Sequence, residues 1–327
     1  MTRRTVTIGK YRALQRVSTS DGLFNILAID HQDSLRRVMN PTDPGSLSVA
    51  RLVEFKTQVV SVLAPDASGV LLDPVLGAAQ AIRGQYLDHA GLLVELERGD
   101  YRLTPMPQTA EILPEWNVEK IKRMGADGVK LFFYYNPDLS QLAAAQEGLI
   151  GRVVADCARH DIPFYAEPIL LPGDASDVFA ANFTRYALDT ARRIASLGVD
   201  VLKLEFPEDI RRQPDQAVWH EACEALTQSI EVPWVLLSAG VDFETYCRQV
   251  DIACAAGASG YIAGRAVWGD AATIADSARR IAWLEDTGRK RMRLLADAAK
   301  NGKPWINAVA CEPVGTAWYA TYPGWTA

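Results

Sequence analysis

GVDVLKLEFP, residues 198–207, sets an ammonium group inside an apolar run. The run has the length and flanks of a buried β-strand. Side chains alternate between the two faces of a strand. Leu202, Leu204 and Phe206 therefore share one face, and Val201, Lys203 and Glu205 share the other. What a lysine does there depends on the neighbours that the rest of the chain brings to it.

Seven more runs of this kind recur: NILAID (25–30), GVLLD (69–73), GLLVEL (91–96), GVKLFFYY (128–135), PFYAEPIL (163–170), WVLLSAG (234–240) and GYIAGRAVW (260–268). Helix-like stretches lie at 47–63, 74–83, 115–124, 138–160, 175–197, 214–229, 242–256 and 270–299. Asp-Ala-Ser at 174–176 and Asp242 are helix-start signals, and MGADGV, LGVDV and AGASGY are glycine-bearing turns from helix to strand. Alternation of strand and helix means parallel β-α-β units. Eight such units predict an α/β fold, a single closed (β/α)8 TIM barrel over residues 1–300. No G-x-G-x-x-G follows the first strand, which argues against a dinucleotide-binding sheet. The third unit is the least regular. No Gly-, Ser- or Pro-rich linker divides the chain. Residues 301–327 form an aromatic-rich C-terminal extension, with Trp305, Trp318, Tyr319, Tyr322 and Trp325, expected to pack on the barrel or on a neighbouring subunit.

In a barrel the strand faces alternate between the interior and the helix layer. With Leu202, Leu204 and Phe206 outward, Lys203 and Glu205 point in. The same split puts Val129, Leu131 and Phe133 outward and Lys130, Phe132 and Tyr134 inward. Glu167 follows Tyr165 inward, and Asp30 closes the first strand on the face of Ile26 and Ala28. Burying a charge costs on the order of several kcal/mol unless it is paired. A single buried pair would read as a self-neutralising structural bridge. This set falls at the C-terminal ends of its strands, where barrel enzymes keep their sites. Two lysines close together are expected to lower each other's pKa, and a lysine so lowered is an amine nucleophile toward a carbonyl.

A second element lies further along. LSAG (237–240) ends the seventh strand and AGR (263–265) is read as part of the eighth. The loops after these strands are the recurrent phosphate site of such barrels. Glycine lets backbone N–H groups approach an anion, and Arg265 can bind it with a planar fork.

Composition bounds the rest. Hydrophobic residues are 49% of 327, enough for a large core, and the net charge of −6 with scattered Lys and Arg argues against a nucleic-acid partner. The five cysteines form no C-x-x-C pair and read as reduced thiols. The four histidines, His31, His89, His160 and His220, are too scattered to bind a metal. The N-terminal MTRRTVTIGKYRAL lacks the apolar core of a signal peptide, and no window approaches a membrane span. A cytoplasmic protein is expected, with no membrane partner.

At these residues the sequence resembles the class I tagatose 1,6-bisphosphate aldolase family, together with the related sulfofructosephosphate aldolases. LAIDHQDSLRRVM, LLDPVLG, ADGVKLFFYYNPD, FYAEPI, GVDVLKLEFP, LSAGVDFETY and AGASGYIAGRAVW carry the resemblance, in order, from about residue 25 to 270. It implies that Lys203 is the Schiff-base lysine, Lys130 a second active-site lysine, Glu167 the proton shuttle and Asp30 the aspartate of the first strand. It implies that Ser238, Gly240, Gly264 and Arg265 bind the C1 phosphate of a ketose. Family members usually read Asp-Gln-Arg after the first strand, and that arginine helps hold the far end of the sugar. This chain reads Asp30-His31-Gln32-Asp33. The positive charge is gone, His31 and Gln32 become the candidate substrate contacts, and Arg36 and Arg37 are the cations close enough in sequence to compensate.

The function expected is reversible cleavage of a ketose phosphate to dihydroxyacetone phosphate and an aldehyde, by a homo-oligomer that takes a small sugar phosphate and needs no metal or other cofactor. The rivals are another ketose 1-phosphate aldolase, such as the sulfofructosephosphate type, an isomerase or decarboxylase in which Lys203 acts as acid or cation, and a non-catalytic sugar-phosphate sensor.

Overall fold

The computed structural model describes residues 3–99, 109–172, 176–320 and 322. Its strands, in chain order, are β1 (Arg4–Val6), β2 (Phe24–Ala28), β3 (Gly69–Leu72), β4 (Gly91–Glu95), β5 (Gly128–Tyr135), β6 (Phe164–Leu170), β7 (Val201–Leu204), β8 (Trp234–Leu237), β9 (Gly260–Ala263) and β10 (Val309–Cys311). β2 to β9 close, in sequence order and all parallel, into one eight-stranded barrel with helices between the strands. The expected (β/α)8 barrel is the observed fold.

The expected faces hold as well. Leu202, Leu204 and Phe206 pack in the layer between strands and helices with Val129, Leu131 and Phe133. Ile26, Leu71, Leu93, Tyr165, Val201, Val235 and Ile262 form a separate apolar layer inside the barrel. Small residues make room for the large ones. A Cβ on Gly128 would sit 2.8 Å from the Tyr165 ring. At the seam, Gly260 has φ +121°, and a Cβ there would come within 2.2 Å of the Phe24 carbonyl oxygen of the strand it pairs with.

The apolar interior is also closed from below. β1 pairs in parallel with β10 in a small separate sheet. The helix Ile8–Arg16 and the segment around Trp305 contribute Leu14, Val17, Trp305 and Val309 to the same interior cluster. Trp318 stacks edge-on against Tyr322, whose hydroxyl donates to Asp161. Trp325, Asp174 and Ala175 lie outside the described residues.

Two boundaries differ from expectation. β9 ends at Ala263, and residues 265–272 are a helix rather than the end of a strand. The run AVW was apolar because it is the buried face of that helix, and a short apolar run has no period to separate the two cases. Trp268 anchors it by donating its indole N–H to the Ala28 carbonyl at 2.8 Å. The single helix expected over 270–299 is divided into Ser277–Trp283, a π-turn at Leu284–Gly288 and Arg289–Ala299. Asp276 starts the first of these by accepting the Arg279 N–H at 2.8 Å.

Candidate active site

Above the apolar layer, at the C-terminal end of the barrel, lies a cavity of about 270 Å³. Its floor is charged. Asp30, Lys130, Glu167 and Lys203 are between 3% and 7% exposed. Lys203 Nζ is 2.8 Å from Glu167 Oε1, and Glu167 Oε2 is 3.1 Å from Lys130 Nζ. Lys130 also donates to Asp30 Oδ2 at 2.8 Å and to Glu97 Oε1 at 2.5 Å. One continuous chain of charge-assisted contacts thus runs from Asp30 through Lys130 and Glu167 to Lys203. Pairing of this quality is what allows four buried charges to persist.

The electrostatics correct one expectation. Burial alone would lower Lys130, but Asp30, Glu167, Glu97 and Glu95 outweigh it and hold the ammonium well above its usual range. The carboxylates in contact decide its state, not the second lysine. Burial would likewise raise Asp30, yet Lys130, assisted by Lys203, holds it far below the ordinary carboxylate range. Burial pushes His31 down to about 3 against the opposing pull of Asp30, so the imidazole is neutral. Burial raises Glu205 to about 7, although its Oε2 accepts the Leu170 N–H at 2.8 Å.

The wall beside Lys203 is built by the turns after β8 and β9. Ser238, Ala239, Gly264 and Arg265 line the cavity. Ala239 and Gly240 have φ +46° and +81°, and this left-handed turn leaves room for Arg265: a Cβ on Gly240 would be 3.1 Å from its Nη2. Gly240 therefore sits against the guanidinium rather than on the wall. Arg265 opens the helix Arg265–Ala272, which corrects its expected place within a strand. A cation and a helix N-terminus at one point favour an anion.

The family model described as DeoC/LacD family aldolase matches residues 24–270, the whole barrel. The chain belongs to the DeoC/LacD family of aldolases. It is 30% identical to tagatose 1,6-diphosphate aldolase 2 of Streptococcus mutans over 92% of this chain and 98% of that one. It is 30% identical to a tagatose 1,6-diphosphate aldolase of Listeria monocytogenes over 92% and 94% of the two chains. An archaeal fructose 1,6-bisphosphate aldolase shares the fold with a TM-score of 0.61 at 17% identity, over 90% of this chain and all of that one. A second archaeal structure, with the catalytic Lys covalently bound to the carbinolamine intermediate of its substrate, gives 0.58 at 19%, over 89% and 99%. Aldolases of this family are carbon–carbon lyases.

In this member of the DeoC/LacD family, the cavity brings together Asp30, His31, Gln32, Lys130, Glu167, Lys203, Ser238, Gly264 and Arg265. His31 stands edge-on to Trp268 with centroids 5.2 Å apart, its Nδ1 3.5 Å from Asp30 Oδ1. Gln32 donates to Glu95 Oε1 at 2.6 Å. Arg37 lines the cavity, whereas Arg36 donates to the Leu47 carbonyl at 2.5 Å and does not line it.

Three buried features escaped the sequence reading. Glu95 and Glu97 face the cavity. They alternate in GLLVELERGD on the face of Leu93, and that period-2 pattern was the available signal. The third is the pair Lys56–Asp73, in which Lys56 also donates to the Ile29 carbonyl at 2.9 Å. Asp30, Glu95 and Glu97 bring carboxylate oxygens within 4.8 Å of one another, the donor type that suits a hard cation. The Lys130 ammonium already bonds two of the three. The counter-ion of this cluster is therefore a side chain, and the residues fit a metal poorly. Among the described residues no helix is long and apolar enough to cross a membrane.

Proposed function

We propose that this family member is a class I aldolase that cleaves a ketose phosphate of the tagatose 1,6-bisphosphate type, through a Schiff base on Lys203, to dihydroxyacetone phosphate and an aldehyde. The observation that carries the reading is the buried Lys203 amine in direct contact with Glu167 inside the cavity, at 2.8 Å. The relatives named above are tagatose 1,6-diphosphate aldolases, which supports the same substrate type.

Lys203 attacks the C2 carbonyl after passing a proton to Glu167, and the carbinolamine forms. Glu167 returns a proton to the C2 hydroxyl, water leaves, and the iminium remains. Removal of the C4 hydroxyl proton then lets the C3–C4 bond break. Its electron pair moves into the iminium and gives an enamine, and the aldehyde departs. Protonation at C3 and hydrolysis release dihydroxyacetone phosphate and free Lys203. Asp30, held far below the usual carboxylate range by Lys130, is a poor proton acceptor, so Glu167 is assigned the C4 proton too. Lys130 stays cationic and fixes Asp30 and Glu167 in place. Ser238, Gly264 and Arg265 receive the C1 phosphate, with Gly240 giving Arg265 its room, and the neutral His31 and Gln32 face the rest of the sugar.

Borohydride added with dihydroxyacetone phosphate is the test. The protein should gain the mass of one reduced adduct, located on Lys203. An adduct elsewhere, or none, removes the Schiff-base mechanism.

A further inference from the structure

The cavity has two chemically different halves. β8 and β9 lie diametrically opposite β4 and β5 in the closed barrel. On the β8–β9 side the wall offers donors, led by Arg265. On the β4–β5 side, among the described residues, it offers the carboxyl groups of Glu95 and Glu97. Glu95 and Glu97 are 3% and 2% exposed. The Gln32 amide is committed to Glu95. The Lys130 ammonium is committed to Asp30, Glu97 and Glu167. Arg37, at the rim, faces Asp33 at 4.0 Å.

Glu97 supplies the deciding atom. The chain holds it firmly: Leu96 N–H donates to the Lys130 carbonyl at 2.8 Å and Arg98 N–H to the Glu111 carbonyl at 2.8 Å. Its Oε1 accepts from Lys130, while its Oε2 is buried and has no hydrogen-bond partner among the described residues. A buried carboxyl oxygen left open calls for a hydrogen-bond partner. Burial raises the Glu95 and Glu97 carboxyls above their usual range, so this wall can hold protons as well as accept them. A hydroxyl group serves either form, because it both donates and accepts, whereas a phosphate dianion only accepts and would add its charge beside Asp30, which lies within 4.8 Å of both.

We infer that the β4–β5 half receives an uncharged, hydroxyl-bearing end of the substrate, so that a ketose 1-monophosphate is cleaved at least as well as the 1,6-bisphosphate, with Glu97 and Gln32 as the specificity-determining residues. This rests on the aldolase reading for the placement of C1 beside Arg265 and C2 at Lys203.

Competition in one reaction tests it, with fructose 1-phosphate against fructose 1,6-bisphosphate and the tagatose pair likewise. In the better-cleaved pair the kcat/KM ratio of monophosphate to bisphosphate should be one or more, and a ratio below one overturns the inference. Gln32→Arg should move that ratio at least tenfold toward the bisphosphate. An unmoved ratio overturns the placement of the far end at Gln32. Calorimetric titration of the same pairs into Lys203→Met, which cannot form an imine, reads binding alone. If neither ketose is cleaved and no adduct is trapped, the aldolase reading falls, while the ratio of the two Kd values still decides this inference by the same criterion.

Discussion

Glu167 Oε1 lies 2.8 Å from Lys203 Nζ, inside the barrel and away from solvent. In the proposed mechanism that contact is a path for a proton as well as an ion pair, because the amine must lose one to attack and the carbinolamine must gain one to lose water. Glu167→Gln keeps the shape and removes the acceptor. General acid–base catalysis contributes about 10²- to 10⁴-fold, and kcat should fall within that range. Borohydride trapping should slow in parallel. A kcat within threefold of the parent would move the proton transfer to another group.

Arg265 is placed by two backbone features, the left-handed turn at Ala239–Gly240 and the helix start after Gly264. A charge-assisted fork to phosphate contributes about 1.5–3 kcal/mol. Arg265→Ala should raise KM for a phosphorylated ketose more than tenfold, read by release of dihydroxyacetone phosphate. Equal KM values would place the phosphate elsewhere.

Lys56 is 1% exposed and ties the helix Val49–Leu63 to Asp73 and to the Ile29 carbonyl, next to Asp30. Lys56→Met fills similar volume but leaves Asp73 buried without its cation. Removing one partner of a buried pair costs about 3–5 kcal/mol. Urea denaturation of parent and variant measures it. A loss below about 1 kcal/mol would show that Asp73 neutralises itself or finds another partner.

The alternation in GVDVLKLEFP was enough to orient β7, because one face of it had to meet the helices. The same logic placed Lys130, Glu167 and Asp30. It reached Glu95 and Glu97 equally well in principle, but the third unit is the least regular in sequence, and that hid the pattern. Other features had no local signal. β1 is a strand of three residues whose partner lies at 309–311, so only the folded chain makes it a strand. The helix at 265–272 carries its apolar residues too densely for its period to be read. The protonation of Lys130 depends on contacts with Asp30, Glu97 and Glu167, and a sequence shows like charges without showing which carboxylates surround them.

Lys130 occupies the place a metal would take among Asp30 and Glu97, and the proposed electron sink is an iminium rather than a Lewis acid. Prolonged EDTA treatment should therefore leave kcat/KM unchanged. Activity lost with EDTA and restored by zinc would assign the opposite aldolase class.

Glu205 gives a pH signature that is separate from turnover. It follows Lys203 by two residues, lines the same cavity, and has its carboxyl raised by burial from 4.5 to about 7. Between those values the folded chain holds a proton on Glu205 that the unfolded chain has released. Stability then falls as pH rises, because the unfolded state binds fewer protons. The contribution is complete below about 4.5 and is lost as pH climbs through about 7. Glu205→Gln cannot ionise and should escape that loss, while keeping an oxygen for the Leu170 N–H. Urea denaturation of both proteins at pH 5 and pH 8 isolates the effect, since every other titrating group is common to the two. The variant should gain stability relative to the parent at pH 8 compared with pH 5. A difference that stays constant across that range would mean that Glu205 is already ionised in the folded protein at pH 5, and that its contact with the Leu170 amide outweighs burial.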